Sequence, residues 1–140
     1  MTLTSKQLGT ITEYQCITYL LERGYNVSVP IGENCAYDFI VEKDGTLYKI
    51  QCKHSTAKSN GESFTFSCET TRINATSVKY HKYSKNQIDF FATYYDNICY
   101  IIPVEECGAA KTLRVKWPEN NQVKNVNWAH NYEADKMLSK

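Results

Sequence analysis

The stretch from Tyr37 to Ser55, YDFIVEKDGTLYKIQCKHS, constrains the fold more than any other part of the chain. Two runs of β-forming residues flank Asp44-Gly45, a dipeptide suited to a two-residue hairpin turn because both positions tolerate a left-handed backbone. Placing that pair at the tip predicts strands over 37–43 and 46–53. It also sets the register: Lys43 opposes Thr46, Val41 opposes Tyr48, Phe39 opposes Ile50 and Asp38 opposes Gln51. Opposed residues point to one face of a sheet, so Phe39, Val41, Tyr48, Ile50 and Cys52 form an apolar face that has to bury. Asp38, Gln51 and Lys53 collect on the other face at one end of the hairpin. A slip of one residue would turn the aromatic face to water, so burial pins this register.

The flanking segments supply the remaining elements. Thr4 with Gln7 fits a capping box and Gly24 fits a C-terminal stop, which predicts a helix over 4–23 with Leu8, Ile11, Ile17, Leu20 and Leu21 at helical spacing. YNVSVP reads as a short strand closed by Pro30, IGENCA and TAKSNGES as loops, and FTFSC at 64–68 as a further strand. Residues 75–86, ATSVKYHKYSKN, are read as a helix. IDFFATYY and ICYIIPV form a second hairpin across Asp96-Asn97, LRVKW is a candidate strand, and the last twenty or so residues are polar and rich in Asn. This order predicts an α/β fold with a mixed β-sheet flanked by helices. One domain is expected over 1–140, with its core over 5–105 and an extension, 108–140, to which no role is assigned.

Composition narrows the function less than it narrows the fold. The net charge of +1 gives no bulk argument for a nucleic-acid partner, although a balanced total can hide a basic surface. No apolar run near the N-terminus is long enough for a signal peptide or a membrane span, so an intracellular location and no membrane partner are expected. The six cysteines form neither CxxC pairs nor zinc-like spacings with histidine, and several lie inside apolar runs; reduced, mostly buried thiols are expected.

A fourth polar group joins the hairpin cluster. On a helical wheel Glu13 falls between Ile17 and Leu20, within the apolar stripe. It is either a carboxylate snorkelling at the edge of the stripe or one aimed at the sheet. In the second case it needs a cation or donors, which Lys53 or a bound metal could supply, and Gly9 on the same side would allow close approach.

With Glu13, Asp38, Gln51 and Lys53 placed, the chain resembles the PD-(D/E)XK nuclease superfamily, whose core has a helical Glu, an acidic residue at a strand start, and an acidic-x-Lys triplet on the next strand. GTITEYQ, YDFIV and IQCKHS carry these features. The nearer resemblance is to the group I intron-associated homing endonucleases, through the IGENCA loop before YD, the Gln-x-Lys triplet and the later DFF…YIIPV hairpin. It covers residues 5–105. Two positions depart from the superfamily pattern: Gln51 stands where a second carboxylate is usual, and Ala36 rather than Pro stands near the first acid.

The resemblance implies a restriction-endonuclease-like core that hydrolyses phosphodiester bonds in double-stranded DNA with Mg²⁺, for which Mn²⁺ can substitute. Asp38 is then the main metal ligand, the Cys52 carbonyl and Gln51 amide stand beside it, and Glu13 acts directly or through water. Lys53 orients the attacking water or stabilises developing negative charge. The alternative reading of the same residues is a plain cross-strand ion pair between Asp38 and Lys53, a merely structural Glu13, and a Gln51 that bonds only within the sheet. His54 and Ser55 are read as substrate-facing or structural.

The interleaved basic and aromatic run KYHKYSK offers Lys79, His81, Lys82 and Lys85 to DNA, with Lys58 and Arg72 upstream; a solvated helix face is the alternative. One active site per chain and two strands to cut point to a homodimer or homotetramer. A junction resolvase, a restriction-type nuclease, and a catalytically inactive DNA-binding protein on the same fold are the competing functions.

Overall fold

The computed structural model describes residues 2–73 and 77–140, with the backbone alone at 71–73 and 78–80. Helix α1 (Ser5–Glu22) starts at the expected capping box: the Gln7 amide donates to Thr4 Oγ1 at 3.1 Å, and the Thr4 amide to Gln7 Oε1 at 2.8 Å. It ends where Gly24 takes φ +86°, a conformation that costs a Cβ-bearing residue. Its buried residues are Thr12, Cys16, Tyr19 and Leu20. Ile11 and Leu21 are exposed, so the packed face is rotated from the predicted stripe. A Cβ on Gly9 would meet nothing within 4 Å, and no close approach depends on that glycine.

Five strands form the main sheet in the order β1-β2-β3-β8-β9: β1 (Asn26–Ser28), β2 (Phe39–Lys43), β3 (Thr46–Cys52), β8 (Phe90–Tyr95) and β9 (Ile98–Pro103). The β2–β3 register is the predicted one, with Phe39 opposite Ile50 and Lys43 opposite Thr46. Asp44 and Gly45 both take positive φ, as do Asp96 and Asn97 at the β8–β9 turn. Both dipeptides therefore make the primed turns whose twist matches the strands. β3 and β8 pair in parallel and the other neighbours antiparallel, so the sheet is mixed.

The crossover from β3 to β8 is built from strands. β4 (Thr56–Ala57) and β5 (Ser63–Ser67) join β10 (Ala110–Arg114) in a second sheet, while β6 (Glu69–Ile73) and β7 (Val78–Lys82) form a separate two-stranded ribbon. Residues 78–82 are thus a strand, where a helix was expected; Ala75 and Thr76 lie outside the described residues. The physical reason is pairing. KYHK has a helix-tolerant composition, but β6 offers it a ladder, with Thr70 opposite His81 and Glu69 opposite Lys82. The strand expected over 64–68 exists one residue earlier, on the second sheet.

The main sheet has a core on each face. Cys16 and Leu20 pack on Phe39, Val41, Ile50, Cys52 and Ile101, together with Ala134 and Leu138 of a short helix, α2 (Ala134–Leu138). Phe64, Phe66 and Leu113 of the second sheet cover Phe91 and Ile102 on the opposite side. Residues 108–140 are therefore woven into both layers. All the cysteines are free, and Cys16, Cys52, Cys68 and Cys99 are buried. No helix among the described residues is long and apolar enough to cross a membrane.

Candidate active site

The polar end of the β2–β3 hairpin is held together by the backbone. The Asp38 amide donates to the Ile50 carbonyl at 2.7 Å, and the Cys52 amide donates to Asp38 Oδ2 at 2.8 Å. The carboxylate is thereby locked against the strand that carries Gln51 and Lys53. Burial raises the Asp38 pKa, against the opposing pull of the Cys52 amide and the Lys53 charge. Glu13, half-buried on α1, is raised first by burial and then by the negative charge of Asp38. The helix thus brings a second carboxylate within electrostatic reach of the first, and neither has an ion pair among the described residues.

Lys53 does not pair with Asp38 or Glu13. Its Nζ donates to the Glu69 carbonyl at 3.1 Å and stands 5.3 Å from the centre of the Tyr83 ring. Burial lowers its pKa, while Asp38 and Cys68 pull it back up. Gln51 Nε2 donates to the Cys52 carbonyl at 3.2 Å, which leaves its amide oxygen as the atom for other partners.

Among the described residues, no group of three or more His, Cys, Asp or Glu side chains is placed to hold a metal ion. A divalent cation here has to combine the Asp38 and Glu13 carboxylates with neutral oxygens from the Gln51 side chain and the Cys52 main chain. This is an all-oxygen set of the kind hard cations take, and a Glu13 carboxylate made costlier to ionise by the Asp38 charge fits a cation between the two.

His54, noted in the sequence only as a polar neighbour of the triplet, lies with Nδ1 3.0 Å from Oγ1 of Thr12. Thr12 Oγ1 is also 2.9 Å from the Leu8 carbonyl. This contact ties α1, and with it Glu13, to the segment that follows Lys53. Sequence reasoning missed Thr12, Glu69 and Tyr83. For Tyr83 a signal existed, the aromatic interleaving of KYHKYSK; for a helical Thr and a main-chain carbonyl none did.

The basic residues divide between surfaces. Arg72 opposes Lys79 across the ribbon, and exposed His81 and Lys82 lie further along β7. Lys58 sits on the β4–β5 turn, where its amide donates to the Ser63 carbonyl. Lys85 lies beyond the ribbon, 3.9 Å from Glu105. The ribbon therefore gathers four of the six, and Lys58 and Lys85 lie outside it.

A mixed sheet with a carboxylate and a lysine presented side by side from adjacent strands, and a helical carboxylate alongside, defines a nuclease-type core. The chain matches the PD-(D/E)XK endonuclease family over residues 3–135, and it belongs to that family. Among solved structures it is similar to a bacterial homing endonuclease, I-Ssp6803I, with a TM-score of 0.79 at 23% sequence identity, covering 98% of this chain and 93% of that one. That likeness is one of fold. No match was found among curated proteins.

Proposed function

We propose that this nuclease-family protein is a Mg²⁺-dependent, site-specific endonuclease of double-stranded DNA, working as a homodimer or homotetramer of a single-domain chain. The observation that carries the reading is the placement of Asp38, clamped to the Cys52 amide at 2.8 Å, beside Lys53 and within electrostatic reach of Glu13. Asp38, the Gln51 amide oxygen, the Cys52 carbonyl and Glu13, the last through water, are the residues to hold the ion. Bound there, a divalent cation supplies charge relief at the scissile phosphate and a more acidic water.

The chain's own groups do the rest. Lys53, with one N–H committed to Glu69, turns the others towards the attacking water or the phosphate oxygens. Arg72, Lys79, His81 and Lys82 on the ribbon, and Lys58 and Lys85 outside it, contact the DNA backbone.

The similarity in fold to a homing endonuclease supports site specificity over the junction-resolvase and restriction-type alternatives. Gln51 in place of a carboxylate favours a different second reading, a DNA-binding protein that no longer cuts. The test is cleavage with and without Mg²⁺ by wild type, Asp38→Ala and Lys53→Ala. The substrates are linear DNA bearing a randomised insert library and a four-way junction. Metal-dependent cutting of library members, lost in both variants, supports the proposal. Cutting confined to the junction makes the protein a resolvase. Retained DNA binding with no turnover from any substrate establishes the non-cutting reading.

A further inference from the structure

Lys53 forms no ion pair among the described residues, so something other than a carboxylate keeps its flexible side chain in place. Two contacts do so, and both come from the base of one ribbon. Glu69, whose carbonyl accepts from Nζ at 3.1 Å, is the first residue of β6. Tyr83, whose ring faces Nζ at 5.3 Å, directly follows Lys82, the last residue of β7. Glu69 and Lys82 are themselves paired across the ribbon.

The tyrosine is in turn held firmly. Its ring meets Phe91 edge-on, with centroids 5.4 Å apart and planes at 86°, and Phe91 is a buried residue of β8 paired with Gln51. An ammonium over such a ring gains attraction that grows as water is excluded. Unlike a carboxylate, the ring takes up none of the three N–H donors in a directed bond. One goes to Glu69 and two stay available.

We propose that Tyr83 is a positioning residue for the nuclease reaction: its ring holds the Lys53 ammonium at the site with two N–H groups left for substrate. This inference rests on the nuclease reading above and adds to it a residue outside the Asp38–Gln51–Lys53 pattern. It also means that the foot of the ribbon carrying Arg72, Lys79, His81 and Lys82 and the placement of Lys53 are one mechanical unit.

The experiment uses the full chain as wild type, Tyr83→Phe and Tyr83→Leu, with thermal melts confirming that each is folded. Lysine labelled with ¹³C at Cε reports the environment of Lys53 by NMR, and Lys53→Arg assigns its signal. In wild type and Tyr83→Phe, the Lys53 ε-protons are shielded by the ring relative to the other lysines. In Tyr83→Leu that shielding is lost. Single-turnover Mg²⁺-dependent cleavage of a site recovered from the randomised library then falls about 10- to 100-fold in Tyr83→Leu, the scale of a misplaced catalytic group. Tyr83→Phe stays within about threefold of wild type, and DNA affinity changes less than the rate in both.

An unshifted Lys53 signal in Tyr83→Leu overturns the proposal. So does a rate loss in Tyr83→Phe as large as that in Tyr83→Leu, which assigns the effect to the hydroxyl and not to the ring. If wild type cuts nothing, the nuclease reading and the catalytic half of the proposal both fall. The NMR arm still decides whether the ring holds the ammonium.

Discussion

Asp38 does two things at once, and they can be separated by comparing Asp38→Ala with Asp38→Asn. In the fold, its Oδ2 is the acceptor for the Cys52 amide at 2.8 Å, and Cys52 is buried. Alanine removes the acceptor and leaves a buried N–H unpaired, which costs about 1–3 kcal/mol. Asparagine keeps an oxygen at that position and sheds the charge that burial penalises. At roughly 3 °C per kcal/mol for a chain of this size, Asp38→Ala melts about 3–9 °C below Asp38→Asn, while both lose cleavage.

The pH dependence has a definite sign. The folded-state pKa of Asp38 is raised, so its neutral form favours the fold. Below the ordinary aspartate value of about 3.9, wild type and Asp38→Asn are alike. As pH rises through the raised folded value, wild type loses stability relative to Asp38→Asn. Urea melts of the three proteins across pH 3 to 8 measure both effects. Equal stability of Asp38→Ala and Asp38→Asn at neutral pH would refute the bond to Cys52 as the anchor of the site.

Three further outcomes follow from the same geometry. Mg²⁺ at about 100 times its dissociation constant adds roughly 2.7 kcal/mol to wild-type stability, read as a rise in melting temperature that is absent in Asp38→Asn and reduced in Glu13→Gln. Lys82→Ala, on the exposed face of the ribbon, lowers the slope of log affinity against log salt by about 0.9 if that side chain neutralises one phosphate; fluorescence anisotropy over a salt series measures it. Thr12→Val breaks the 3.0 Å contact with His54 and lowers unfolding free energy by about 1 kcal/mol, measured by denaturant titration, with the Gln7–Thr4 cap unaffected.

How much of this could be read from the chain depended on how far apart the interacting residues lie. The β2–β3 hairpin, its register and the convergence of Asp38, Gln51 and Lys53 were accessible because Asp44-Gly45 sits at the tip and the side-chain alternation does the rest. The same holds for the Asp96-Asn97 hairpin and the Thr4–Gln7 cap. Residues 78–82 were misread as helical because their strand state depends on β6, a partner that local composition does not reveal. The second sheet pairs Ser67 with Ala110, far apart in sequence, and α2 lies within a stretch whose polarity gives little sign of Ala134 and Leu138 packing beneath the main sheet.

Turns, caps and strand alternation were determined by the sequence alone, because backbone preferences and hydrogen bonds within a few residues settle them. Tertiary structure alone decided the rotation of α1 that exposes Ile11 and brings Glu13 towards Asp38. It also decided the choice of partner for Lys53. An ammonium placed at the end of β3 could have met either carboxylate. It meets the Glu69 carbonyl and the Tyr83 ring, because the ribbon that crosses between β3 and β8 ends there, and only long-range packing could set where that ribbon's feet stand.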